Sequence, residues 1–144
     1  MRRKGRECAL QALYQLDIQG GLGAEDSAEN DLQGSMQAFW GSFESVSLDV
    51  QRFAERLVVG VHEHINELDT LLNNVADNWC VDRMSHIDRN LLRLATYEIL
   101  HCVDVPRAAS INEAIEIGKR FGNENSARFV NGILDKIGLD REEE

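Results

Sequence analysis

Apolar residues recur three and four positions apart along almost the whole chain, the spacing that lines one side of a helix. Ala9, Ala12, Leu13 and Leu16 form the first such stripe and predict a helix from about Arg6 to Ile18, with Gly20 and Gly21 ending it. The next stretch, GLGAEDSAENDLQG, is acidic and nearly free of large apolar side chains, so it reads as a mobile surface loop. A short helix around Ser35 to Glu44 would offer Met36, Phe39, Trp40 and Phe43 to the core. From Leu48 to about Asn74 the pattern is strongest: Val50, Phe53, Ala54, Leu57, Val58, Val61, Ile65, Leu68 and Leu72 predict an amphipathic helix broken at most once. Gly60 within it suits close packing of a neighbouring helix, at a cost of about 1 kcal/mol against alanine.

Asp77 to Arg83 reads as a connection, after which Ser85 and Asp88 form a variant capping box. The helix they open turns Ile87, Leu91, Leu94, Ala95 and Ile99 inward, and Pro106 breaks the chain beyond it. A second signature, Ser110 with Glu113, predicts a helix ending at Gly122, and a last helix near Ser126 to Ile137 buries Val130, Ile133, Leu134 and Ile137. The tail DREEE reads as a solvated acidic end. The expected fold is therefore all-α, in two small helical halves over 1–78 and 79–144. With 144 residues, 43% of them hydrophobic and 28% charged, the chain can bury one core or two small packed ones.

Composition changes that picture little, whereas charge changes it more. No run of about 18 apolar residues occurs, and the N-terminal residues lack the unbroken apolar stretch of a signal peptide, so a cytosolic protein without membrane contact is expected. Cys8, Cys80 and Cys102 are odd in number and far apart, which predicts reduced, mostly buried thiols. A net charge of -10 opposes phosphate binding, yet four of the 15 basic residues (Arg2, Arg3, Lys4, Arg6) fall in the first six positions and the next is Arg52. A basic edge on an acidic body suits phosphate at one place and a cationic protein at another.

Candidate chemistry is sparse. No phosphate-cradling glycine loop and no nucleophile–base pairing is visible, so neither enzyme activity nor a cofactor is expected. His62 and His64 are two apart on a helix and point to nearly opposite sides, while His86, His101 and Cys102 are scattered, so no metal site is expected either. The arginines of RRKGR can pair with phosphate, or stand as a solvated terminus. Tyr14 lies well off its helix's apolar stripe, where a ring can stack on an unpaired base or pack against the acidic loop or the second half. Lys119, Arg120 and Arg128 fall off the buried stripes of their helices with Phe129 at a stripe margin, either as an extension of a phosphate track or as ordinary helix surface and core.

Two segments carry a family resemblance: RRKGRECALQALYQLD at the start, and the run from Ile87 to Ile137 with YEIL, INEAIE, FG and FVNGILDK in order. Together they resemble the NusB family of bacterial transcription antitermination factors. That resemblance implies about seven helices in two small, roughly perpendicular subdomains. It also implies a protein that binds the single-stranded boxA element of nascent RNA together with the ribosomal protein NusE. Attached to RNA polymerase, such a complex suppresses premature termination, notably on ribosomal RNA operons. By position the resemblance assigns RNA binding to Arg2, Arg3, Arg6, Tyr14, Lys119, Arg120, Arg128 and Phe129, and NusE docking to Arg83, Arg89, Arg93 and Glu98. Some members of the family form homodimers that cover the RNA face. The rival readings are a helical RNA-recognition module like that preceding some ribosomal RNA methyltransferases, and a helical interaction adaptor that never touches RNA.

Overall fold

In the computed structural model, which describes residues 2–25, 31–43, 45–77 and 79–139, the first helix begins earlier than its apolar stripe requires. α1 (Arg2–Gln19) includes the whole basic segment, because Arg3 and Arg6 find carboxylates on the sixth and fifth helices, and Arg2 finds Asp104 in the connection between those two, contacts that hold that turn in place. It ends as its glycines predict. Gly20, at φ 77°, donates its N–H to Asp17 O and Gly21 donates to Leu16 O, the paired bonds of a Schellman cap. The start of the acidic loop is tethered, since Gly23 N donates to His62 Nδ1 at 2.9 Å. Residues 26–30 of that loop, Glu44 at the foreseen end of the second helix and the DREEE tail lie outside the described residues.

α2 (Leu32–Gly41) buries Met36 and Phe39 and rests Trp40 and Phe43 on the core margin, with Trp40 Nε1 donating to Glu55 Oε1 at 2.7 Å. The long amphipathic stretch is two helices, α3 (Leu48–Glu63) and α4 (Ile65–Val75), interrupted at His64, where φ −111° and ψ 18° leave helical geometry. α5 (His86–His101) follows a single 3-10 turn at Val81–Arg83 and starts as the capping box predicts, with Ser85 Oγ accepting from Asp88 N at 3.1 Å. It is the axle of the molecule: α1, α3, α4, α6 and α7 all pack on it, and every residue from Leu91 to Thr96 is buried. Such a helix cannot show a narrow stripe, because partners cover it nearly all round.

α6 (Arg107–Phe121) and α7 (Ser126–Leu134) complete the fold. α6 begins one turn before the Ser110 signature: proline's fixed φ feeds directly into a helix at Pro106, and Ser110 then turns inward to donate to Glu98 at 3.3 Å. α7 stops one turn short of Ile137. Arg107 caps it from α6, donating to the carbonyls of Leu134, Asp135 and Ile137 at 2.8 to 3.2 Å, groups that a helix end leaves without partners. Among the described residues there are seven α-helices and no strand, as the periodicity predicts. One core cluster runs from Cys8 to Ile137 across the expected division at 78/79. Cys8 and Cys102 are buried thiols and Cys80 an exposed one. No helix among the described residues is long and apolar enough to cross a membrane.

Candidate nucleic-acid interface

α1 sorts its cations by face. Arg2 and Arg6 are one turn apart and turn toward α3 and α5, whereas Arg3 turns toward α6. Arg2 reaches Asp104 at 3.5 Å and lies 4.9 Å over the Phe53 ring. Arg6 is buried at 4% exposure, with Nε and Nη2 donating to Glu98 at 2.7 to 3.0 Å. Glu98, 1% exposed, also accepts from Ser110. A buried ion pair persists only when both charges are fully hydrogen-bonded, and this one ties the first helix to the fifth. Gly5 makes the approach feasible: a Cβ there would come within 2.6 Å of Phe53.

A second internal network holds the other end of α1. Arg89 donates to both oxygens of Asp17 at 2.7 and 3.0 Å, Asn90 donates to it at 2.8 Å, and Arg93 bridges it to Asp69 with two bonds of 2.8 Å. Burial pushes the Asp17 carboxyl up, but the bonds from Arg89, Asn90 and His86 and the charge of Arg93 outweigh it and hold its pKa at about 2. Arg6, Glu98 and Arg93 are thus engaged inside the fold and leave almost no surface to RNA or protein, which their assignment by position did not anticipate. Arg89 is largely consumed too, and of the foreseen docking residues Arg83 alone is exposed.

On the α6 side of α1, the exposed residues form a strip. Arg3 and Tyr14 are eleven residues apart on α1, within about 20° of one helix face and about 16 Å along its axis. Beside Arg3, Glu113 of α6 accepts two bonds at 2.6 and 3.0 Å, and those bonds hold the Glu113 carboxyl below its ordinary pKa. A turn further, Arg120 reaches Glu7 at 2.9 Å while its own side chain stays 68% exposed. Arg3, Glu7, Glu116, Ile117, Lys119 and Arg120 enclose a shallow depression of about 250 Å³. α6 runs parallel to α1 here, so its end and the start of α7 arrive beside the Tyr14 end of the strip. Tyr14, 38% exposed, meets the edge of His86 with ring centroids 5.9 Å apart. Next to His86, Ser85 and Arg83 border a second depression of about 250 Å³ that also takes in Trp79, Asn123, Asn125 and Phe129. Trp79, 52% exposed, packs edge-on to Phe129 at 6.3 Å. Arg128 and Lys136 border the outer side of the same two rings.

Cations therefore run along the strip from Arg3 to Arg128, with exposed aromatic rings gathered toward its Tyr14 and Phe129 end, a combination that suits a single-stranded nucleic acid. Every foreseen RNA residue except Arg2 and Arg6 lies along it. Trp79, His86, Asn123 and Asn125 were not foreseen. Trp79 sits in a connection without periodicity, and His86 gains meaning only through Tyr14, 72 positions earlier in the chain; the one available signal was an aromatic residue in a polar connector. The cations are also tempered by Glu7, Glu113 and Glu116, which a one-dimensional charge count cannot reveal.

Comparison with known proteins follows the same line. The family model described as the NusB family matches residues 3–138. The transcription antitermination protein NusB of Myxococcus xanthus (strain DK1622) is 45% identical over 141 residues, covering 96% of this chain and 94% of that protein. The solved structure of T. maritima NusB superposes with a TM-score of 0.80 at 37% identity, covering 96% of this chain and 90% of the other. A chain from the crystal structure of the antitermination factors NusB and NusE in complex with dsRNA, 24% identical, covers 96% of both chains with a TM-score of 0.79 and shares the fold. With the helix order, the α1–α6–α7 strip and a match over almost its full length, the chain belongs to the NusB family of transcription antitermination factors, which are not enzymes.

Proposed function

We propose that this protein holds the single-stranded boxA element of nascent RNA, jointly with NusE, and so keeps RNA polymerase transcribing through ribosomal RNA operons. The observation that carries this reading is the strip itself: Arg3, Lys119 and Arg120 lead along α1 and α6 to Tyr14, His86, Trp79 and Phe129. Cations meet phosphates without regard to sequence, and exposed rings stack on unpaired bases, so the strip suits a flexible single strand better than a duplex. Arg128 extends the cationic border beyond Phe129. Arg2 and Arg6 serve by fixing α1 rather than by touching RNA.

The local carboxylates limit what RNA alone can gain. Each phosphate must compete with Glu113, Glu7 or Glu116 for its cation, which makes binding to RNA alone modest and gives a second partner its purpose. NusE supplies that partner. Ribosomal proteins are cationic, and a body with net charge -10 attracts them at long range. We place its docking on the C-terminal half, with Arg83 at the border between protein and RNA. A boxA-type RNA titrated into the protein with and without NusE, at two salt concentrations, tests this: affinity rises with NusE and falls with salt. Equal affinity for boxA and an unrelated strand of equal length, with no gain from NusE, overturns it and favours an adaptor that never reads RNA.

A further inference from the structure

Away from the strip, the fold brings His101 to two metal-binding side chains, His64 and Glu67, that lie 34 or more residues earlier in the chain. His64 stands at the break between α3 and α4, Glu67 lies in the first turn of α4, and His101 is the last residue of α5. One ligand atom from each lies within 4.8 Å of the others. The two imidazoles face one another with ring centroids 4.2 Å apart, and His101 Nε2 is 2.6 Å from Glu67 Oε1. From these residues we propose a binding site for a zinc-class divalent transition metal, with His64, Glu67 and His101 as its protein ligands.

Three features make this more than a chance cluster. The first is donor type: two imidazoles and a carboxylate suit zinc and its neighbours, and are poorly suited to calcium or magnesium, which require oxygen ligands. The second is tautomer control. His64 Nδ1 lies 2.9 Å from Gly60 O, and since a carbonyl only accepts, Nδ1 carries the hydrogen and Nε2 is left with its lone pair, the outer hydrogen bond that orients metal-binding histidines. The third is support. Tyr97 stacks on His101 at 5.3 Å and packs over Gly60, so one ring backs both the ligand and the carbonyl that orients the other ligand.

Tetrahedral bonds of about 2.1 Å put ligand atoms about 3.4 Å apart, so His101 Nε2 and Glu67 Oε1, now 2.6 Å apart, must open by about an ångström, while atoms as much as 4.8 Å apart must close by a little more, movements within reach of rotamer adjustment. Binding displaces the hydrogen shared between His101 Nε2 and Glu67 Oε1: it passes through water to Nδ1, or out to solvent where Nδ1 already carries one, so that a neutral ring offers its Nε2 lone pair to the ion. A fourth position stays open to water or to a partner's side chain. The ion would staple the α3–α4 break to the C-terminal end of α5, two points 34 or more residues apart in the chain.

The test is calorimetric titration of Zn²⁺ into the full chain after chelator treatment, in a Cys80→Ser background that removes the exposed thiol. One ion per chain is expected. At a hundredfold excess over Kd the thermal midpoint should rise by about 5 °C or more. Glu67→Gln, at a half-exposed position, should weaken binding about tenfold or more with an unchanged fold, and His64→Ala or His101→Ala should abolish it. Should either histidine variant fail to fold, imidazole ¹⁵N shifts of both rings in the unsubstituted protein must move on adding Zn²⁺. The proposal is overturned by the absence of saturable binding, by binding that Glu67→Gln leaves unchanged, or by equal affinity for Mg²⁺, which would mean diffuse attraction to an acidic surface.

Discussion

Tyr14 meets the edge of His86, and 38% of its surface stays open. A ring so placed gives little to folding and much to a stacked base. Tyr14→Ala should therefore reduce RNA affinity by about 1 to 3 kcal/mol while leaving the circular dichroism spectrum and melting midpoint nearly unchanged. A loss of stability without a loss of affinity would make the residue a packing element. Arg6 is its converse. Removing one partner of a buried pair leaves the other charge desolvated and alone, so Arg6→Ala should cost about 3 to 5 kcal/mol in denaturant unfolding. Asp17 adds a pH dependence. Its folded pKa of about 2 lies below the unfolded value near 3.9, so its contribution is fully present above pH ~4 and is lost as pH falls through ~2. The amount is about 2 kcal/mol, and Asp17→Asn should remove that acid-dependent portion from the unfolding curve.

Between helices, Gly60 decides how closely α3 and α5 approach. A Cβ there would fall within the Tyr97 ring, so Gly60→Ala should destabilise by about 1 to 3 kcal/mol despite alanine's better helix propensity, and Tyr97→Leu in the same chain should recover part of the loss. This close approach was legible in the sequence, because a glycine amid an otherwise regular apolar stripe has few other uses. So were the Ser85 cap, the Gly20 and Gly21 terminus and the existence of each long helix, all of which rest on contacts within a few residues. Boundaries set by distant partners were not. α1 reaches back to Arg2 because Asp104 and Glu113 hold its first turn, and Ser110 serves Glu98 instead of a helix start. The same limit explains the site. Arg3, Tyr14, Lys119 and Phe129 could be read as off-stripe residues, but the burial of Arg6, Arg93 and Glu98 depends on pairings across 12 or more positions of chain.

Across the molecule, a negative body and a carboxylate-tempered strip make affinity a matter of screened, local competition. Glu116→Gln removes one competitor from Lys119 at an exposed position, and should raise RNA affinity by about 0.5 kcal/mol at low salt with a smaller gain at high salt. Arg120→Ala should act oppositely, lowering the salt slope by about 0.7 if it contacts one phosphate of a single strand. Both follow from one claim, that RNA lies along α1, α6 and the start of α7. Mapping backbone amide shifts by NMR while a boxA-type single strand is titrated into the protein tests that claim most directly. The largest shifts should fall at Arg3, Tyr14, Lys119 to Asn125 and Phe129, leaving the α3–α4 face around Gly60 and His64 unmoved. Shifts concentrated on that α3–α4 face, with the Arg3-to-Phe129 strip silent, would contradict it.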